Sequence, residues 1–386
     1  MITTAQGEYT MDYVSLLIKP SSGFCNMHCS YCFYRDEMSK RMEAVHSYME
    51  YRTASLLIKQ TFDILNPGGW VNFNFQGGEP TLTGLDFYRY FVQQVNQFNR
   101  NNVNVFYTFQ TNGLLLDKFW ADFFLENRFL VGISLDGTRE LHDANRRDVK
   151  GAGTWEQAIA GLRLLQTKGV DVNALCVVTR KTALHPTEAY RNLKSLGLNY
   201  IQFIPCLDPL GEERGSLQFS LTPGLYTRFL CHLFDEWYHD WETGHYTSVR
   251  IFDDYVHLAM GLPAGTCAAL GSCGSYIVVE SDGSLYPCDF YCLDKWKIGK
   301  LGEISLADAQ KSETTARFVR EGRLLPDECV CCQWFRICRG GCKRDRHGMQ
   351  DIHNYFCPAF REFFSYAWER ILHIAEAERL QSLPPL

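Results

Sequence analysis

Sixteen cysteines in a chain of 386 residues constrain this sequence more than any other feature, because thirteen of them fall into two groups. Three follow C-x3-C-x2-C at Cys25, Cys29 and Cys32, and ten of the sixteen crowd into residues 265–360. The opening residues MITTAQGEYT lack the basic and apolar regions of a signal peptide. The cytoplasm is therefore the expected compartment. Disulfides are rare there, and clustered thiols read as metal ligands or catalytic groups. The net charge is −6 and no long basic stretch occurs, which argues against a nucleic-acid or anionic-membrane surface. No apolar run reaches the roughly 18 residues that would span a bilayer.

Up to about residue 210, short runs rich in Val, Ile, Phe and Tyr alternate with longer amphipathic stretches. Strands are predicted at residues 14–19, 71–76, 103–110, 129–135, 170–179 and 200–206, with helices such as 52–65, 85–99 and 154–168 between them. Six strands alternating with helices imply parallel βα units, in an open sheet or a barrel. Functional residues are then expected just past the strand C-termini. Glycine-rich or polar segments lie there: Lys19-Pro20 leading to Cys25, Gln76-Gly77-Gly78-Glu79-Pro80, Gln110-Thr111-Asn112-Gly113 and Ser134-Leu135-Asp136-Gly137. A helix is predicted at 223–242, followed by a cysteine-rich region with short strands such as 276–280, and a closing helix at 360–380.

Three thiolates on one short loop can hold three irons of a four-iron cluster and leave the fourth iron open to an outside ligand. Downstream, Cys329, Cys332, Cys338 and Cys342 follow C-x2-C-x5-C-x3-C, with Cys267, Cys273 and Cys288 before them and Cys357 after. Eight thiolates suit two fully ligated clusters. Four-thiolate zinc is the plainer alternative for this second group. Cys331, beside Cys332, competes for the same place.

The first cysteine motif, with Tyr31 before its last cysteine and the Gly-Gly-Glu-Pro segment behind it, resembles the radical S-adenosylmethionine superfamily. The resemblance implies a partial (β/α)6 barrel in which the open iron binds S-adenosylmethionine and an electron cleaves it to a 5′-deoxyadenosyl radical. By that resemblance Tyr31, Gln76, Gly77, Gly78 and Glu79 lie on the cofactor, with Glu79 binding the methionyl ammonium. Ser134 and Arg146 resemble the contacts to ribose and carboxylate, and Leu207 resembles an apolar contact to adenine. The later cysteines resemble a SPASM domain. This implies interleaved ligand sets, Cys267, Cys273, Cys288 and Cys342 for one cluster and Cys329, Cys332, Cys338 and Cys357 for the other, making three [4Fe-4S] clusters in all.

Tyr286-Pro287-Cys288-Asp289-Phe290-Tyr291, Gln202 to Leu210, Ser15 to Pro20 and Trp334-Phe335-Arg336 together resemble the anaerobic sulfatase-maturating enzymes over roughly residues 13–370. That family oxidises a cysteine or serine of a sulfatase to Cα-formylglycine. Asp289 then resembles the base that removes the substrate's thiol or hydroxyl proton, with Asp136 and Asp208 as competitors. The implied partners are a sulfatase segment as substrate and a flavodoxin- or ferredoxin-type electron donor, on a monomeric enzyme. The expected layout is an extension at 1–12, the barrel at 13–245, the auxiliary-cluster domain at 246–360, and a helix and tail at 361–386. The rivals are a SPASM enzyme that modifies a ribosomal peptide, for example by thioether formation, and an electron-carrying iron–sulfur protein.

Overall fold

The segment MDYVSLLIK forms strand β1 (Met11–Lys19) because every second residue is large and apolar. Val14, Leu16 and Ile18 turn to the helix-covered side and are buried. Strand β2 (Leu65–Phe75) does the same with Val71, Phe73 and Phe75. Phe75 packs edge-on against Tyr88 and Phe91 of the helix Leu85–Phe98, with ring centroids 5.1 and 5.0 Å apart. Truncating Phe91, which is wholly buried, to alanine would cost about 3–5 kcal/mol.

The computed structural model describes residues 10–43, 46–348 and 352–382, and these form two compact units. The first comprises the described residues up to Ser134, together with Arg147–Val172 and Gly274–Arg320. It contains β1, β2, β3 (Asn104–Thr111) and β4 (Leu130–Ser134), paired in parallel in that order. The second comprises Leu135–Arg146, Asn173–Cys273 and the described residues from Glu321 on. It holds nearly all of β5 (Asp171–Val178), with β6 (Tyr200–Pro205) paired to it in parallel and β7 (Ser248–Val249) paired in parallel to β6. In the first unit β8 (Ile277–Glu280) adds to the free edge of β1, also in parallel. The antiparallel strands β9 (Ser284–Tyr286) and β10 (Gly299–Lys300) follow it. Residues 276–300 thus join the sheet that begins the chain and bring Asp289 to the β1 side of that unit.

The six strands fall where the hydrophobic pattern puts them, except that β1 starts at Met11, three residues before its expected start, and β2 starts earlier still. β2 starts at Leu65, six residues before the expected start at Val71. Asn66-Pro67-Gly68-Gly69 reads as a turn, yet it runs within the strand, where the pairing with β1 shifts register between Met11 and Tyr13. Gly68 takes φ +73°, which a glycine adopts at little cost.

In the second unit the helix Pro223–Glu242 spans the residues expected for it, and the closing helix runs Cys357–Ser382. Aromatic pairs join the region they form. Tyr226 meets Phe356 at 4.9 Å and Phe234 meets Phe363 at 5.6 Å between centroids.

Candidate functional site

The turn after β1 carries Cys25, Cys29 and Cys32, and the turn after β2 carries Gly77, Gly78 and Glu79. Main-chain bonds fasten the two turns together: Gly78 N donates to Ser22 O at 2.8 Å and Glu79 N to Phe24 O at 2.7 Å. A Cβ on Gly78 would lie 2.1 Å from the Phe24 carbonyl oxygen, so only glycine permits this approach. The three thiols are close enough to repel as thiolates. Burial first, then Glu79, then Cys29 and Cys32, push the Cys25 thiol up to about 12. A metal cluster would supply the positive charge that such thiolates need. Tyr31 is buried, while His28 is exposed.

Glu79 is 1% exposed. Its Oε1 accepts from Thr81 N at 3.1 Å, Thr81 Oγ1 at 2.6 Å and Thr111 Oγ1 at 2.7 Å, and its Oε2 from Asn112 N at 2.9 Å. Burial raises its pKa against these donors. Among the described residues it pairs with no cation, so an incoming ammonium would meet an oriented carboxylate.

Asp289 follows Cys288 and is buried. Its Oδ1 is 2.5 Å from Lys19 Nζ, and its Oδ2 accepts from Gln76 Nε2 at 2.7 Å. The ends of β1 and β2 and the segment after β9 therefore converge on one carboxylate. Lys19 lies 3.5 Å above the Tyr34 ring centroid. Burial alone would lower its pKa, but Asp289, Cys292, Tyr34 and Glu280 together raise it well above the usual lysine value. Behind it, the Tyr34 hydroxyl donates to Glu280, and Arg41 Nη1 donates to Glu280 Oε1 at 2.8 Å. Little in the sequence marks Lys19 out. Its one local signal is a charged residue at the end of an otherwise apolar strand.

In the second unit, Asp136 Oδ2 lies 3.0 Å from Arg146 Nε, and Asp136 Oδ1 accepts from Val177 N at 2.9 Å. Arg146 is buried, and so is not a solvated surface group. His142 Nδ1 accepts from Asp136 N at 3.3 Å. Burial, then Arg146, lower the His142 pKa to about 4. Asp208 Oδ2 accepts from Gly215 N at 3.0 Å and its Oδ1 from Ser220 Oγ, which ties down the loop after β6. Asp136 and Asp208 thus each bond main-chain groups of their own surroundings. Leu207 is half-buried directly after β6, and Ser134 is half-buried at the end of β4 in the first unit.

The later cysteines sort by neighbourhood. Cys338 is pushed up to about 11 by burial first, with Cys357, Cys329 and Cys332 adding to it. Cys342 is raised by burial first and then by other groups that include Cys267 and Cys273. Cys342 therefore lies with the two upstream cysteines, although its sequence run includes Cys338. Cys331 is exposed, whereas Cys332 is half-buried among the first set. Cys288 belongs to the first unit, its Sγ 3.7 Å from the Tyr276 hydroxyl. Among the described residues no three His, Cys, Asp or Glu side chains converge on a single ion. The thiolates of a four-iron cluster each reach a different iron.

Residues 20–196 match the radical SAM superfamily, and residues 271–333 match the SPASM iron–sulfur cluster-binding domain. The cysteine-type anaerobic sulfatase-maturating enzyme of Clostridium perfringens is 40% identical to this chain, over 95% of it and 99% of the relative. This chain belongs to the anaerobic sulfatase-maturating enzyme family. A serine-type relative from Bacteroides thetaiotaomicron is 29% identical, over 91% of this chain and 88% of that one. The structure of native anSMEcpe with bound AdoMet and Cp18Cys peptide superposes with a TM-score of 0.90 at 38% identity, covering 95% of this chain and 99% of that one. The fold is accordingly α/β, a radical SAM partial barrel with a SPASM domain. No helix among the described residues is long and apolar enough to cross a membrane.

Proposed function

We propose that this enzyme oxidises a cysteine of a sulfatase to Cα-formylglycine. The observation that carries the reading is the buried carboxylate of Asp289, next to Cys288 and bonded to Gln76 at the start of the Gly-Gly-Glu-Pro turn. Cysteine is preferred to serine as the target because the cysteine-type relative is 40% identical and the serine-type relative 29%.

When bound, S-adenosylmethionine and the clusters would supply a radical that takes the Cβ hydrogen and a sink for the electron left behind. Cys25, Cys29 and Cys32 would hold the cluster that meets the cofactor. Glu79 would hold the methionyl ammonium, with Tyr31, Gln76, Gly77, Gly78, Ser134, Arg146 and Leu207 as the remaining contacts. Two auxiliary clusters would take Cys267, Cys273, Cys288 and Cys342, and Cys329, Cys332, Cys338 and Cys357. Asp289 would take the thiol proton as carbon–sulfur double bonding develops, and water would then replace sulfur by oxygen. The barrel at 13–245 would carry radical formation and the region at 246–360 electron removal. A flavodoxin- or ferredoxin-type protein would be the donor, and a monomer in the cytoplasm the working form.

The test is mass spectrometry of a Cys-x-Pro-x-Arg peptide after anaerobic incubation with S-adenosylmethionine and a reductant. The expected result is an aldehyde in place of the thiol. A thioether crosslink instead, with no aldehyde, would transfer the enzyme to the peptide-crosslinking class.

A further inference from the structure

We propose that Lys19 is a positioning residue for the reaction: its buried ammonium orients the Asp289 carboxylate toward the substrate thiol. The inference rests on Asp289 acting as the base. Lys19 is 1% exposed and lies at the end of β1, where Gly77 presses against its stem. A Cβ on Gly77 would stand 3.1 Å from the Lys19 Cβ. The ammonium is thereby confined between the Tyr34 ring, 3.5 Å from its centroid, and Asp289 Oδ1 at 2.5 Å. With Oδ2 accepting from Gln76 at 2.7 Å and Oδ1 ion-paired to Lys19, the carboxylate is held from two sides.

The surroundings keep this arrangement in place. Lys19 and Arg41 supply two cations, and Asp289 and Glu280 supply two anions. Arg41 Nε also donates to the Cys292 carbonyl oxygen. Removing one member of such a buried ion pair leaves the other uncompensated. A carboxylate so held loses little orientational freedom when substrate arrives, which is how positioning lowers a barrier.

The test compares Lys19→Met, Lys19→Gln and Asp289→Asn with the parent at matched iron content, using a Cys-x-Pro-x-Arg peptide. The readout is aldehyde formed per 5′-deoxyadenosine, as a function of pH. Lys19→Met should lower this ratio at least tenfold near neutral pH, and Lys19→Gln, which keeps a polar group beside Asp289, should lower it less. The deficit should shrink as pH rises through about 8.5, where a free thiol ionises by itself and needs no oriented base. With the matching serine peptide the deficit should persist at high pH. Damage to packing alone would not recover with substrate ionisation. A parental ratio in both lysine variants, with Asp289→Asn collapsed, overturns the role of Lys19 and leaves the base reading standing. A pH-independent deficit shared by both peptides also overturns it. A parental ratio in Asp289→Asn sinks the base reading itself. Should Lys19→Met fail to hold iron, Lys19→Gln decides the matter on the same criteria.

Discussion

The side-chain amide of Gln76 donates to Asp289 Oδ2 at 2.7 Å, joining two residues 213 positions apart in the chain. The turn expected to hold the cofactor is therefore bonded directly to the expected base. Asp289→Asn should reduce aldehyde formation by about 10²–10⁴-fold, the usual scale of general-base catalysis. Release of 5′-deoxyadenosine should continue, because radical formation needs no base at the substrate. Product-to-deoxyadenosine ratios with an iron assay alongside provide the check. Loss of iron would mean that the neighbouring Cys288 had been disturbed.

Replacing Cys25, Cys29 and Cys32 together by alanine should abolish 5′-deoxyadenosine formation. After anaerobic reconstitution the parent should hold about twelve irons, and the variant about two-thirds of that. Iron and sulfide analysis measures both. Zinc near two per chain with about four irons would instead make the later cysteines a zinc module.

Arg41 and Glu280 form an ion pair whose side chains are 1% and 0% exposed. Breaking it from one side leaves a buried charge without compensation. Glu280→Gln should destabilise the fold by about 3–5 kcal/mol. Urea denaturation of the anaerobic protein would show this as a lower midpoint with an unchanged slope.

His142 should give the fold an acid limb. Its pKa is lowered to about 4 by burial first and then by Arg146, so the folded chain keeps it neutral where the unfolded chain would protonate it. Below about 6.5 the unfolded state binds the extra proton, and stability falls as pH drops from there toward 4, by roughly 3 kcal/mol in all. Protonation would also cost the bond that Nδ1 accepts from Asp136 N. His142→Gln should flatten this part of the stability curve, measured by denaturation at pH 4.5, 5.5 and 6.5.

The barrel strands were legible because their apolar alternation is local. Val14, Leu16 and Ile18 announce β1 without help from the rest of the chain. The early start of β2 was hidden by Asn66-Pro67-Gly68-Gly69, whose composition signals a turn while its neighbours impose strand pairing. Cysteine spacing marked the two metal-rich regions, but the company Cys342 keeps depends on how the chain returns to Cys267 and Cys273. Lys19 was the hardest to see. A lysine closing an apolar strand has no meaning until residue 289 is folded against it.

The joint between the cysteine turn and the Gly-Gly-Glu-Pro turn is made by main-chain atoms, from Gly78 and Glu79 to Ser22 and Phe24. Tolerance to change is therefore lopsided across it. Across the joint Phe24 contributes its carbonyl, and the residue is 40% exposed with its ring against Tyr48, so many residue types could stand there without parting the turns. Gly78 admits none, since even one methyl group would collide with that same carbonyl oxygen. A lineage could thus remodel the rim beside its cluster freely, for a new reductant or a new substrate, while the opposite side of the joint stayed fixed at a single hydrogen atom.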